Sequence, residues 1–414
     1  MNAEIKERVA AINSGIIPEG YKKTKVGIVP VEWDIKALGK ISQFLDNQRK
    51  PVKENERSSG IYPYYGASGI IDYVDDYLFD GEYILLGEDG ANIVMRSSPL
   101  AFKVKGKMWI NNHAHVISPN DNCNIDFLVN ILESLNYEKY NSGTAQPKLN
   151  REVCESITLP FPPLPEQQKI AEILSTQDKL IELQEKKIEQ LKELKKAYLQ
   201  KMFPQKGSKY PELRFKGFTE PWEQRKLGEL ADIVGGGTPS TSNDDYWDGD
   251  IDWYAPAEIA DQIYVASSER KITQQGYDNS SAKMLPVGTV LFTSRAGIGK
   301  TAILRKEGCT NQGFQSIVPH INELDSYFIF SRSEEMKRYG ETVGAGSTFV
   351  EVSGKQMANM ELMMPTTMEE QVTIGSFFSN LDSLITLHQR KSEQEKQKKK
   401  ALMQLLLTGI VRTK

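Results

Sequence analysis

Two stretches of the sequence carry apolar residues at alternating steps of three and four positions, which is the spacing of a coiled-coil stripe. The first stretch runs from 166 to 202 without a Gly or Pro, and three prolines precede it, as is common at a helix start. Its stripe consists of Ile170, Leu174, Ile181, Ile188, Leu191, Tyr198 and Met202, with Gln177, Gln184 and Lys195 as polar members. We therefore predict one long helix here.

A second stretch, which follows Pro365, has a stripe in the same register. Its apolar members are Ile374, Phe378, Leu381, Ile385, Leu402 and Leu406, and its polar middle consists of His388, Ser392, Glu395 and Lys399. Each stripe alone is too narrow to bury well on an unrelated surface. We predict that the two helices pair with each other; the alternative is two surface helices on unrelated cores.

The chain also contains an internal repeat. Trp33 and Trp222 are equivalent and lie 189 residues apart. The segments 111–117 and 311–317 are separated by 200 residues, and 166–181 and 370–385 by 204. The offset drifts through the first part of each repeat and then stays constant. Each repeat is therefore predicted to be a body with loops of variable length, followed by a helix of constant length, because loops tolerate insertions and a packed helix does not.

The bodies themselves show short β-rich runs and exposed polar loops. Strands are predicted at 83–86, 93–95, 289–292 and 317–318, and helices at 126–136 and 326–339. Gly-rich polar segments punctuate these runs, so that we expect compact α/β (mixed α+β) bodies. In addition, residues 12–17 resemble 406–411, which predicts that the N-terminal segment completes the region of the second helix and gives nearly two-fold symmetry.

Composition narrows the class of protein. The formal net charge is −4, which by itself argues mildly against nucleic-acid binding, but seven acidic residues lie in each of 72–89 and 244–261, and basic clusters occur elsewhere. Cys123, Cys154 and Cys309 are scattered. No apolar run approaches ~18 residues and the first residues contain no apolar signal core. We expect a globular protein of the reducing cytoplasm.

Catalytic and metal-binding patterns are incomplete. An adenine methyltransferase requires an Asn or Asp before two prolines, and the segment 161–164 has neither at that position. The segment 297–301 resembles the end of a P-loop, but Ser294 stands where that motif needs Gly. His113 and His115 lack companion ligands. We predict no catalytic and no metal-binding residues in this chain.

Several motifs together resemble one family. Phe215-Lys-Gly-Phe218 with Trp222, the early Pro18-Glu-Gly-Tyr21 with Trp33, and the Pro-rich lead into Glu166 are similar to Type I restriction–modification specificity (S, HsdS) subunits. The segment from Gly236-Gly-Thr-Pro239 to Trp253 resembles the start of their target recognition domains. The resemblance covers nearly the whole chain.

The resemblance implies two target recognition domains joined by two long helices that form an antiparallel coiled coil. Its domain limits are an N-terminal segment at 1–20, recognition domains at 21–161 and 207–365, and spacer helices at 162–206 and 366–414. It implies a subunit that binds double-stranded DNA at a bipartite asymmetric site, one half per domain. Two modification (methyltransferase) subunits using S-adenosylmethionine and motor–nuclease restriction subunits using ATP and Mg²⁺ are the implied partners, and no cofactor is expected in this chain.

Base edges and phosphates are bound by Arg, Lys, amide, hydroxyl, His and acidic side chains on loops. The candidates in the first body are Glu88, Asp89, Asn92, Asn112, His113, Ser142, Thr144, Gln146 and Lys148. The candidates in the second body are Ser294, Arg295, Lys300, Gln312, Ser347 and Thr348. Each alone is compatible with an ordinary solvated loop residue; the repeat supports them as groups.

Two other functions remain open at the level of sequence. One is a coiled-coil scaffold that binds only proteins and shows no selectivity for DNA sequence. The other is an NTPase or nuclease that uses Lys300 and Thr301 or the acidic segments.

Overall fold

The computed structural model describes residues 3–143, 146–259, 262–295, 297–345 and 351–413. The chain divides into two compact units, Met1–Glu185 together with Arg390–Lys414, and Lys186–Gln389. Each unit contains one repeated body and a part of both long helices. No helix in the described ranges is long and apolar enough to cross a membrane.

The first unit contains helices and strands in mixed order. They are α1 (Ala3–Asn13), β1 (Tyr21–Thr24), β2 (Gly27–Pro30), β3 (Asp34–Ala37), α2 (Leu38–Ile41), β4 (Ser42–Phe44), β5 (Ser59–Gly66), β6 (Gly69–Val74), β7 (Phe79–Gly87), α3 (Asn92–Met95), β8 (Ala101–Ile110), β9 (Ala114–Pro119), α4 (Ile125–Ser134), α5 (Arg151–Ser156), β10 (Thr158–Phe161) and α6 (Leu164–Lys201), which continues into the second unit.

A six-stranded sheet in the order β4-β9-β7-β8-β5-β6 forms the frame of the first body. Successive side chains of a strand point to opposite faces. Ile84 and Leu86 of β7 therefore pack in one core cluster with Phe127 of α4, while Leu85 belongs to a second cluster with Val116 of β9. Burial on both faces explains the continuous apolar run of β7 and leaves polar residues to the loops at its end.

The strand predicted at 93–95 is wrong. This segment is the helical turn α3, in which the Met95 amide donates to the Ala91 carbonyl at 2.9 Å. The Asn92 side chain accepts from the Ser98 amide at 3.0 Å and donates to the Ser98 carbonyl at 3.0 Å, and Arg96 ends the turn at φ 51°. Side-chain to backbone bonds have overridden the β preference of the apolar residues. The predicted helices at 126–136 and 326–339 do contain helical residues.

The second unit has its own set of elements. They are β11 (Glu223–Lys226), α7 (Leu227–Leu230), β12 (Ala231–Gly235), β13 (Trp247–Tyr254), β14 (Tyr264–Val265), β15 (Arg270–Ile272), α8 (Gln274–Asp278), β16 (Val290–Phe292), β17 (Thr301–Leu304), β18 (Cys309–Thr310), β19 (Gln315–Pro319), α9 (Ser326–Ser331), α10 (Ser333–Gly344), α11 (Gly354–Ala358), β20 (Glu361–Met364) and α12 (Met368–Leu406), which continues into the first unit.

The two bodies share a core sheet and differ around it. The antiparallel order β4-β9-β7-β8 of the first body recurs as β12-β19-β16-β17 in the second. A parallel strand then joins each, β5 beside β8 and β14 beside β17. The first body adds β6, whereas the second adds a separate sheet β15-β13-β18. These additions lie in the part of each repeat where the offset rises from 189 to 200 residues.

In the first unit, α6 and α12 run antiparallel, and polar members of their two stripes meet. The Gln177 amide donates to the Glu395 carbonyl at 3.2 Å, and the Asp178–Lys399 ion pair is 2.6 Å. Further along α6 and further back along α12, Glu185 pairs with Lys396 at 2.7 Å. Mutual pairing of the helices is therefore confirmed in this unit.

In the second unit the same helices pair through apolar and ionic contacts. Leu191 packs against Leu381 and Ile385, and Lys195 donates to the Asp382 carboxylate at 2.7 Å. The predicted stripe residues of both helices are buried or partly buried. The direction is again antiparallel, because Tyr198, later in α6, meets the earlier Phe377 of α12 at 4.9 Å between ring centres.

A buried carboxylate fastens each body to its helix. In the first unit Glu166 accepts from the Trp33 indole at 2.9 Å and from Arg412 at 2.7 and 2.9 Å. Burial alone raises the pKa of Glu166, but the bonds from Arg412 and Trp33 outweigh it and lower that pKa below its ordinary value. We call this group the helix–body joint.

The second unit repeats the joint with different chain positions. Glu370 accepts from the Trp222 indole at 3.2 Å and from Arg214 at 2.7 and 2.8 Å. The neighbouring glutamines do the same in both units, since Gln167 accepts from the Asn124 amide at 2.8 Å and Gln371 from the Asp325 amide at 3.1 Å. The two halves thus share side-chain contacts as well as topology.

The N-terminal segment contacts the end of the chain. Arg8 donates to the Ile410 carbonyl at 2.8 Å and the Tyr21 hydroxyl to the Gly409 carbonyl at 2.8 Å. Gly15 and Gly409, which are equivalent in the short sequence match, both adopt the left-handed conformation, with φ 73° and 74°. That the segment 1–20 completes the region of the second helix remains a prediction.

Candidate nucleic-acid interface

Three loops of the first body meet at the end of β7. The Glu88 amide donates to the His113 carbonyl at 2.8 Å, and the Leu149 amide donates to the Glu88 carbonyl at 2.7 Å. The Gly90 amide also donates to the Pro147 carbonyl at 3.1 Å. The described residues of the loops at 88–92, 111–113, 141–143 and 146–149, which the sequence predicted as separate groups, therefore form one surface, which we call the first loop cluster.

Polar side chains of this cluster differ in how far they are engaged. His113 is half exposed and its Nδ1 lies 2.9 Å from Asp89. Lys148 is also about half exposed and lies 3.4 Å from Glu88, which is itself mostly buried. Asn112, Ser142 and Gln146 are exposed. Exposed amide, imidazole and ammonium groups at one place can bind base edges and phosphate oxygens.

Two of the candidates in this body, Asn92 and Ser142, bind their own loops with their side chains. Asn92 uses its side chain to hold the turn around Ser98 and is only partly exposed. Thr144 lies outside the described residues. The Ser142 hydroxyl donates to the Lys148 carbonyl at 3.1 Å, so that it also shapes its own loop.

Beneath the cluster lies an ionic network that the sequence did not reveal. Arg49 donates to Glu88 at 2.8 Å and to the Ala114 carbonyl at 2.7 Å, and it lies 3.6 Å from Asp46. Asp46 in turn lies 2.7 Å from the ring of His115. Asp46 and Arg49 are ordinary charged residues after a short strand, and only the antiparallel pairing of β4 with β9 brings them beside His115.

The second body builds the same hub from different residues. The Ser294 amide donates to the Gly313 carbonyl at 2.8 Å, and the Val352 amide donates to the Ser294 carbonyl at 3.0 Å. These bonds correspond to those that Glu88 makes in the first body. A side chain also recurs, because Asn111 accepts from the His113 amide at 2.8 Å and Asn311 from the Gly313 amide at 2.7 Å. We call the surface formed by the loops around Ser294, Gly313 and Val352 the second loop cluster.

The loop that resembled a P-loop is a tight connection between two strands. The Thr293 hydroxyl donates to the Gly297 carbonyl at 2.7 Å and accepts from the Lys300 amide at 2.9 Å. Gly297 and Gly299 have φ 107° and 95°, which only glycine adopts readily. Lys300 leads into β17, whereas a P-loop leads into a helix whose N-terminus faces the phosphates. The geometry is wrong for an NTPase site.

The candidates of the second body are placed unevenly. Lys300 and Gln312 are exposed and Arg295 is partly exposed, whereas the Ser294 side chain is fully buried. Gln312 accepts from the Thr238 hydroxyl, a residue that was not selected from the sequence. Ser347 and Thr348 lie outside the described residues.

The loop around Thr238 joins the cluster through glycines. The Gly237 amide donates to the Thr310 carbonyl at 2.8 Å. A Cβ atom on Gly236 would lie 2.0 Å from the Asn311 carbonyl oxygen, so that only glycine fits there. The Gly-Gly-Thr-Pro motif therefore carries a detectable signal for this loop, which the choice of single polar residues had missed.

No group of three His, Cys, Asp or Glu side chains in the described part of the chain lies close enough to hold a metal ion. The clusters instead offer cations, amides and backbone amides around a rigid hub. Chemically, this arrangement suits recognition of a polar, anionic surface.

Comparison with known proteins matches most of the chain to one family. The profile of the Type I restriction modification DNA specificity domain matches residues 30–193 and again 219–397. A putative Type I restriction enzyme MjaX specificity subunit from Methanocaldococcus jannaschii is 27% identical over 425 residues, which is 96% of this chain and 97% of that subunit. The MjaIX specificity subunit of the same organism is 35% identical over 175 residues, 42% of this chain and 40% of that subunit.

A solved structure supports the fold. The S subunit of a Type-I restriction-modification system from M. genitalium matches with a TM-score of 0.64 at 13% identity, over 90% of this chain and 96% of that chain. At this identity the likeness concerns the fold alone. The mixed α/β fold with two repeated domains and two long helices, as the sequence predicted, is therefore confirmed.

Proposed function

The chain belongs to the family of Type I restriction modification DNA specificity domains, and we propose that it reads a bipartite asymmetric DNA site for a Type I restriction–modification complex. The family itself is non-catalytic, so that the chemistry resides in partner subunits. In this proposal each body reads one half of the site in double-stranded DNA through its loop cluster.

One observation carries the proposal: the same backbone hub occurs in both bodies with different side chains around it. Around Glu88 the exposed groups include Asn112, His113 and Lys148, whereas around Ser294 they include Lys300 and Gln312. A shared frame supports a shared role, and different groups on that frame select different bases. The site is therefore expected to consist of two unlike halves.

The proposed readers are exposed or partly exposed residues of the two clusters. Amide side chains of Asn112, Gln146 and Gln312 suit base edges, whereas Lys148, Arg295 and Lys300 suit guanine edges or phosphates. Asn92 is assigned to holding its loop through its side chain, and Ser294, whose side chain is fully buried, through its backbone.

Each unit also exposes a pair of leucines on its long-helix segment, which suggests where partners bind. Leu180 and Leu183 are 39% and 61% exposed, and Leu384 and Leu387 are 46% and 45% exposed. The pairs are equivalent in the repeat, 204 residues apart. Exposed apolar groups that recur in this way favour two copies of one protein partner, and the methyltransferase subunit is the partner we propose.

In this complex the cofactors belong to the partners. S-adenosylmethionine serves the methyltransferase subunits, and ATP with Mg²⁺ serves the motor–nuclease subunits. This chain contributes sequence recognition and a scaffold, and we assign no cofactor to it.

The proposal is tested by co-expressing the chain with its methyltransferase subunit in a host free of methylation and mapping methylated adenines by sequencing. We expect one split, asymmetric motif that requires this chain. Replacing residues 20–160 with those of a related subunit should change one half of the motif and leave the other. An assembled complex that, with S-adenosylmethionine present, methylates no defined motif would contradict the proposal and favour a protein-binding scaffold.

A further inference from the structure

His115 lies beneath the first loop cluster with both ring nitrogens bound. Nδ1 lies 2.7 Å from the Asp46 carboxylate and Nε2 lies 2.8 Å from the Leu149 carbonyl oxygen. A carbonyl oxygen can only accept a hydrogen bond, and so can an ionised carboxylate. With the ring 1% exposed, water cannot substitute for either partner. Both nitrogens therefore carry a proton, and the side chain is an imidazolium.

The alternative, a neutral ring beside a protonated Asp46, does not suit the surroundings. The Val116 amide donates to Asp46 at 2.9 Å and Arg49 lies 3.6 Å away, and both stabilise the ionised carboxylate. Burial alone lowers the pKa of His115 and raises that of Asp46. The hydrogen bonds and charges around each group together outweigh burial. Asp46 and Cys154 raise the pKa of His115 to about 10, and His115, Val116 and Arg49 lower the pKa of Asp46.

Several elements contribute a group that contacts the ring or lies near it. Besides Asp46, the Glu88 carboxylate lies 3.8 Å from Nδ1, and the Cys154 thiol of α5 also contacts the ring. The ring of Phe44 meets it edge-on at 5.6 Å. Arg49 and Lys148 neutralise Glu88 at 2.8 and 3.4 Å. The imidazolium is thus surrounded by a balanced set of charges.

The bond to Leu149 connects this ring to the recognition loops. The Leu149 carbonyl accepts from His115, while its amide donates to the Glu88 carbonyl at 2.7 Å. Glu88 in turn donates to the His113 carbonyl at 2.8 Å. The position of Leu149, at the end of the third loop, against the other two loops therefore depends on the Nε2 proton of His115.

The second body lacks this ionic pair. In the repeat, Gln315 is equivalent to His115, 200 residues earlier, and Gly235 is equivalent to Asp46, 189 residues earlier. Gly235 and Gln315 are partners in the register of β12 and β19. The acid and the histidine are thus replaced together, and a glycine cannot supply a counter-ion.

We propose that His115, protonated and held by Asp46, is a positioning residue that sets the first loop cluster for DNA reading, and that the second cluster works without a charged pair. The inference rests on the proposed function, since it concerns recognition of the first half of the site. It assigns no contact with DNA to His115 itself.

The first test measures protonation directly on the free chain. The four histidines are labelled with ¹⁵N in the imidazole ring, and the His115 signals are identified by their loss in His115→Gln. We expect two protonated ring nitrogens from pH 6 to 8.5. One protonated and one unprotonated nitrogen at pH 7.5 would overturn the proposal, whatever the chain does with DNA.

The second test measures recognition with the assembled methyltransferase complex. His115→Gln should reduce discrimination between right and wrong bases in the first half of the site by about tenfold, the equivalent of one hydrogen bond to a charged group. Discrimination in the second half should be unchanged, which also shows that the variant complex has folded. His320→Gln is the matched control, because His320 pairs with Asp232 at 3.2 Å on the surface of the second body.

A third variant separates positioning from mere filling of space. Asp46→Asn keeps the shape but removes the counter-ion, so that the pKa of His115 falls towards its ordinary value near 6.5. First-half discrimination should then decline as the pH rises from 6 to 8, while that of the wild type stays constant. A flat profile in Asp46→Asn, or unchanged discrimination in His115→Gln, would overturn the inference. Absence of any methylation motif in the wild type would instead overturn the proposed function.

Discussion

At the residue scale, equivalent positions of the two bodies share backbone bonds and differ in side chains. Glu88 and Ser294 make the same amide and carbonyl bonds, yet one is a carboxylate in an ionic network and the other a buried hydroxyl. The frame is thus carried by backbone groups, which leaves side chains free to change what is recognised. Predictions at this scale therefore concern single side chains.

Lys300→Ala should weaken DNA binding to a similar degree for all sequences and reduce the slope of log affinity against log salt by about one unit, because a phosphate contact releases counter-ions. Binding titrations of the assembled complex over a range of salt concentrations measure this. The control is Lys226→Ala. Lys226 is the last residue of β11 and lies shortly before the end of β12 that pairs with Pro319, which is the end away from the loops. An unchanged salt slope would place Lys300 outside the interface.

Asp252 is a second residue with a measurable consequence. It is fully buried, and it accepts from Lys306 at 2.7 Å and from the Ser268 amide at 3.0 Å. Burial alone raises its pKa, but Lys306 and Ser268 outweigh burial and lower the pKa to about 2. A lowered pKa stabilises the fold above the ordinary value of 3.8, and this stabilisation is lost as the pH falls towards 2.

Asp252→Asn should therefore destabilise the second unit by about 2 kcal/mol at neutral pH, the scale of hydrogen bonds to a charged group. Between pH 4 and 2 the variant should also lose less stability than the wild type. Urea unfolding followed by fluorescence of the nearby tryptophans measures both. Asp250→Asn, an exposed acid on the same strand, should leave the pH dependence intact.

At the scale of elements, the helix–body joint determines how each long helix is attached to its body. In each unit a glutamate in the first turn of one long helix accepts a hydrogen bond from a tryptophan indole of the body. The same glutamate also binds an arginine that follows the C-terminal end of the other long helix. Charged groups at this depth stabilise the fold only when all partners are present. The joint therefore makes the helix register and the body position interdependent.

Arg412→Met should leave Glu166 buried without its cation and lower the free energy of unfolding by about 3 kcal/mol. The loss should shrink as the pH falls below the ordinary range of a carboxyl, since protonated Glu166 needs no cation. Chemical denaturation of the free chain at several pH values measures this. Arg390→Met, at an exposed position of α12, is the control, and equal effects of the two changes would contradict the assigned role.

At the scale of the whole molecule, the repeat gives two similar but unequal units. Each unit has its own core, its own joint and its own exposed leucine pair. Similar units favour two copies of the same partner, whereas unequal loop clusters favour a site of two different halves. In the proposed function, stoichiometry and specificity thus depend on different parts of the same repeat.

Leu183→Glu and Leu387→Glu should each remove one methyltransferase copy, and the double variant should remove both. Neither should reduce stability, because these leucines are 61% and 45% exposed. Mass measurement of the assembled complex reads the stoichiometry. Gln389→Glu is the control, since a residue two positions from Leu387 points about 200° away around the helix. Full assembly by the double variant would contradict this surface.

The sequence by itself determined the repeat, the two long helices and their inward stripes. These features rest on periodicity, and a periodic apolar stripe has few ways to be buried. It also located loops whose polar residues do meet in space, such as those of Glu88, His113 and Lys148. Side chains of loops are chosen by local chemistry, and there the sequence overestimated Asn92 and Ser294.

Only the tertiary structure decided which distant residues meet. The ionic network of Asp46, Arg49 and His115 depends on strand pairing between segments far apart in the chain, and no local pattern marks it. The same holds for Glu166 and Arg412, which lie 246 residues apart. Local periodicity is set by nearest neighbours along the chain, whereas buried charges are stable only where the whole fold supplies their partners.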